Sequence, residues 1–86
     1  MELAEPAADA VLEPYAMAAV LSGRVAGATT APLLFSEDEG GRRIEIPLPV
    51  AEANPFERRI VPVSPGAARV GVRVRGGSET RDCVRL

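Results

Sequence analysis

The chain has 86 residues, 47% of them apolar and 26% charged, with a net charge of −2, which describes one folded domain with a small core and excludes bulk disorder. Its ten basic residues are all arginine, it has no histidine, and Cys83 is its single cysteine. The missing imidazole removes the side chain that titrates near neutrality and the commonest nitrogen ligand of metals, so most hydrolase and zinc chemistries are excluded, and one cysteine excludes an intrachain disulfide framework.

Residues 1–31 are expected to form an N-terminal helix or arm. Val11, Leu12, Tyr15, Ala16, Ala19 and Val20 recur at spacings of three and four in the alanine-rich stretch 7–21, the pattern of a short amphipathic helix that Gly23 would end. Pro14 would kink that helix or start it afresh. A rival reading pairs Val20 with Val25 as a hairpin around Ser22-Gly23. The N-terminus is acidic at Glu2, Glu5, Asp9 and Glu13, where an export signal needs positive charge, and the longest apolar run, 15–21, is too short to span a bilayer. No signal peptide and no membrane anchor are expected, and the chain is placed in the cytoplasm or in a particle assembled inside the cell.

Residues 32–86 are expected to form an antiparallel β domain. Leu33 to Glu39, then Gly40-Gly41, then Arg42 to Val50 reads as a hairpin with a two-residue loop. With Glu39 opposite Arg42, the ladder pairs Asp38 with Arg43, Glu37 with Ile44, Phe35 with Ile46 and Leu33 with Leu48, and one face carries Leu33, Phe35, Ile44, Ile46 and Leu48. Pro47 and Pro49 then fall at non-hydrogen-bonded positions, where the missing donors would have pointed outward, so the 42–50 strand is expected at a sheet edge. Phe56 to Val63 is a further candidate strand, with Pro62 again arguing for an edge, and Ser64-Pro65-Gly66 is a turn.

From Arg69 to Arg75 the chain alternates strictly, with Val70, Val72 and Val74 on one face and Arg69, Gly71, Arg73 and Arg75 on the other. A return strand after Gly76-Gly77-Ser78 would place Val84 and Leu86 on the valine face if the loop has three or five residues, whereas an even loop would put Arg81 and Arg85 there. The odd loop is the expectation. The fold class is therefore mainly β, a small sandwich-like domain of two hairpins and a connecting strand with a short N-terminal helix or arm, and α+β as the alternative.

Charge is divided along the chain: residues 1–57 hold three arginines against ten acids, residues 58–86 seven arginines against two. The expected function is non-enzymatic binding and assembly, as a small accessory or structural subunit of a larger complex such as a viral-type particle. The partner is a protein, another copy or a larger assembly, met through Arg69, Arg73, Arg75 and Arg81 and through the acidic turn Glu37, Asp38 and Glu39. The alternative is a small nucleic-acid-binding regulator using Arg69, Arg73 and Arg75, against which stand the acidic net charge and the lack of aromatic residues in 57–86. Neither a catalytic residue nor a cofactor is expected. Glu37 to Glu39 lack the longer loop that calcium coordination needs, and neither glycine pair opens a helix as a phosphate loop would.

Overall fold

The computed structural model describes residues 1–7, 10–12, 19–60 and 65–85. Eight strands occupy most of them: β1 (Glu2–Glu5), β2 (Ala10–Leu12), β3 (Ala19–Arg24), β4 (Leu33–Asp38), β5 (Arg43–Pro47), β6 (Phe56–Ile60), β7 (Gly66–Val74) and β8 (Gly77–Arg85), with one 3-10 turn at Val50–Glu52. They form a three-stranded sheet, order β1-β3-β6, and a five-stranded sheet, order β2-β8-β7-β4-β5. All pairings are antiparallel except that of β2, which lies parallel on β8. The fold is mainly β, as expected. Leu3, Leu21, Phe56 and Ile60 from the smaller sheet share one core with Leu34, Val70, Val72 and Cys83 from the larger. The core is aliphatic apart from Phe56 and Cys83.

The helix expected over 7–21 gives way to strands at Ala10–Leu12 and Ala19–Arg24; its middle, 13–18, lies outside the described residues. The rival hairpin fails as well, because Ser22 and Gly23 lie inside β3, between β1 and β6. Tertiary pairing overrides the helix propensity of alanine here. Gly23 is needed because β1 runs so close that a Cβ at that position would collide with the Glu2 carbonyl. The N-terminal residues belong to both sheets.

The β4–β5 hairpin is present, with its loop one residue longer than the glycine pair. Gly41 N–H donates to the Asp38 carbonyl at 3.1 Å, Asp38 N–H donates to the Arg42 carbonyl at 2.9 Å, and Gly41 takes φ +82°. This is a three-residue loop, Glu39-Gly40-Gly41, with only the second glycine left-handed. The Asp38 carboxylate accepts from Arg42 N–H at 2.9 Å and holds the turn. Every expected pair therefore shifts by one on the β4 side, to Glu37 with Arg43, Ser36 with Ile44, Phe35 with Glu45, Leu34 with Ile46 and Leu33 with Pro47. One slip exchanges the two faces of β4: Leu34 and Ser36 face the core, whereas Phe35 lies on the outer face. β5 ends at Pro47 rather than at Val50, but its facing and place are as expected, since Leu48 N–H bonds the Pro32 carbonyl at 2.8 Å, Ile44 and Ile46 pack against the core, and β5 is an edge. β6 is also an edge, over Phe56–Ile60; residues 61–64 lie outside the described part.

The alternation in β7 is as expected, with Val70 and Val72 fully buried and Arg69 and Arg73 exposed. The loop after it is not. Val74 pairs with Gly77, so the loop is the two-residue Arg75-Gly76, with Gly76 at φ +91°. Even parity puts Cys83 and Arg81 on the valine face, opposite Ala68 and Val70, and turns Val84 outward. The arginine that made an even loop unattractive is accommodated by carbonyls: Arg81 donates to Leu3 O at 2.8 Å and to Thr80 O at 2.9 Å, joining the two sheets at that point. A cation beside the core is tolerated when its donors are used and its stem lies on apolar surface.

Candidate functional site

The corrected register lays out the outer face of the five-stranded sheet as rows running across the strands. One row reads Arg43, Glu37, Arg69, Asp82 from β5 to β8, alternating in charge at every step. The next reads Glu45, Phe35, Gly71, Thr80, and the third Pro47, Leu33, Arg73, Ser78. Cross-strand neighbours of opposite charge support a sheet, typically by about 0.2–1 kcal/mol per pair.

Distances follow that layout. Arg43 bonds Glu37 at 3.2 Å and lies 3.5 Å from Glu45; Arg69 bonds Asp82 at 2.8 Å; Arg73 bonds Glu45 at 3.1 Å. The hydrogen bond and charge of Asp82, with a further contribution from Glu37, hold the Arg69 guanidinium above its usual pKa. Phe35 is only 3% exposed although it points away from the core. Two neighbours cover it. Gly71 offers no side chain, so that a Cβ there would sit 3.0 Å from Phe35 Cζ, and the Arg43 guanidinium lies 4.0 Å from the ring centroid.

Around Phe35 the face dips into a depression of about 210 Å³, ringed by Arg43, Arg69 and Arg73 with the Ser78 and Thr80 side chains on its β8 side. A second cleft, of about 250 Å³, is lined by Glu37, Asp38, Glu39 and Asp82 with Arg69 among them. No group of histidine, cysteine, aspartate and glutamate side chains among the described residues is arranged to hold a metal ion.

Of the residues singled out in the sequence, Arg69 and Arg73 share the depression, and Glu37 borders it. Asp38 and Glu39 stand with Glu37 at the acidic cleft. Arg75 is exposed in the β7–β8 turn, and Arg81 is on the opposite, core-facing side. Phe35, Arg43, Glu45, Gly71 and Asp82 complete the face and were not singled out; Gly71 follows from the alternation of β7, while the signal for the others is the register, which the three-residue β4–β5 loop and the two-residue β7–β8 turn supply. No protein-family model, no curated protein and no solved structure matches the chain. No helix among the described residues is long and apolar enough to cross a membrane.

Proposed function

We propose that the chain is a non-enzymatic binding and assembly module, a small accessory subunit of a larger complex formed inside the cell, and that the outer face of its five-stranded sheet receives an acidic group of a protein partner. The observation that carries this reading is the convergence of Arg43, Arg69 and Arg73 on one depression. Their own acids hold these guanidiniums in place, which reduces the ordering cost of binding. The Arg69 and Arg73 side chains are still 56% and 49% exposed, and exposed ion pairs contribute only about 0–1 kcal/mol each. A partner's carboxylate therefore exchanges with Glu45 or Asp82 at small cost. The nucleic-acid alternative has less support, because the charged row is balanced and the Phe35 ring, covered by Arg43, offers no open stacking surface.

The test uses a glutamate-rich peptide as probe, with the arginine side-chain NMR signals as readout. Saturable shifts at Arg43, Arg69 and Arg73, lost in Arg69→Gln/Arg73→Gln, are expected; unmoved signals at millimolar peptide would overturn the reading. Light scattering at low and high salt, repeated with Arg73→Glu, then decides whether the partner is another copy of the chain.

A further inference from the structure

At the opposite end of the molecule from the β4–β5 turn, the segment leaving β3 passes the β7–β8 turn and encloses a cleft of about 320 Å³. Its walls include Val25, Ala28, Val74 and Met1, with Thr29, Thr30 and Arg75 also lining it. Val25 is a core residue, and Ala28 and Val74 pack against the core, so one side of the cleft is fixed apolar surface. The Val25 amide is tied to the Ala53 carbonyl at 2.8 Å, which anchors the start of the segment. The size falls at the lower end of the range typical of small-ligand pockets.

Arg75 is the one charged side chain that lines this cleft. Like Arg24, Arg42 and Arg59, it has no ion pair among the described residues, whereas Arg43, Arg58, Arg69, Arg73 and Arg81 each hold an acid or a carbonyl. A two-residue turn with Gly76 at φ +91° carries it beside the cleft. We propose that this cleft binds a small carboxylate with a short apolar tail, the tail against Val25, Ala28 and Val74 and the carboxylate on the Arg75 guanidinium. This site lies apart from the arginine-ringed depression, so neither proposal depends on the other.

Hexanoate and hexanol serve as matched probes, titrated into the full chain with backbone amide shifts as readout. Hexanoate is expected to move residues 25–30 and 74–75 saturably while leaving 69 and 73 in place. Hexanol should bind the same cleft about tenfold more weakly, the scale of one charge-assisted hydrogen bond at a solvated rim. Arg75→Gln, at an exposed turn position, should erase that preference, and Ala28→Leu should weaken both probes by filling the cleft. The absence of saturable shifts in this cleft, shifts centred elsewhere, or an Arg75→Gln variant that still prefers hexanoate would each overturn the proposal.

Discussion

The two faces of the five-stranded sheet each carry residues of the wrong polarity, and they accommodate them differently. On the outer face Phe35 is buried under Arg43 and over Gly71, so an aromatic ring is removed from water without joining the core. On the inner face Ser36 is buried between Val70 and Ile44, and the half-buried Arg81 lies opposite Val70. Arg81 spends its donors on the Leu3 and Thr80 carbonyls, while the fully buried Ser36 Oγ has no hydrogen-bond partner among the described residues. The face position of a residue is thus dictated by strand parity, and its polarity is dealt with afterwards by whatever lies within reach.

Four substitutions sharpen this contrast, and urea or thermal melts measure them. Leu34→Ala empties a fully buried inner position between Val72 and Ile46 and should cost about 2–5 kcal/mol. Arg81→Met keeps the apolar stem but leaves the Leu3 carbonyl without its donor, for a loss of about 1–3 kcal/mol. Ser36→Ala removes a buried hydroxyl that has no partner among the described residues, and should raise stability by about 1 kcal/mol; a loss of that size would mean that the hydroxyl is bonded. Asp82→Asn breaks an exposed ion pair of the outer face and should change stability by no more than about 1 kcal/mol, and less at high salt.

The same parity gives one pH effect. Burial, and to a lesser degree the charge of Asp82, pushes the Cys83 thiol above its ordinary pKa. The unfolded chain then ionises first, so the folded state keeps its full stability below the ordinary thiol pKa of about 8.5 and loses stability as pH rises past it. Cys83→Ala should flatten that alkaline decline, seen as the change in melting temperature between pH 8 and pH 10.

Much of this was legible in the sequence. Alternation from Arg69 to Val74 placed the valines inside and Arg69 and Arg73 on one outer face, and the missing outward N–H donors at Pro47 and Pro49 marked β5 as an edge. What was not legible is the count of residues in two turns. The pattern suggests Gly40-Gly41 alone as the first loop, yet Glu39 enters it, and three or five residues for the second, yet Arg75-Gly76 alone turns the chain. Both errors were errors of parity, and each exchanged a whole strand face, which hid Phe35 from the charged surface and Arg81 from the core. The N-terminal strands were hidden for another reason, since β2 and β3 take their conformation from β8, β1 and β6 rather than from their own alanines.

Thiol labelling tests the central claim, that the two-residue turn sets the C-terminal strand with Cys83 inward and Val84 outward. A small maleimide at neutral pH is added to the native protein and to a Cys83→Ala/Val84→Cys variant. The account predicts that Cys83 reacts only as fast as the protein opens, while the cysteine at position 84 reacts at nearly the rate of a free thiol. Rapid labelling of Cys83 with protection at position 84 would contradict it, returning Arg81 to the outer face.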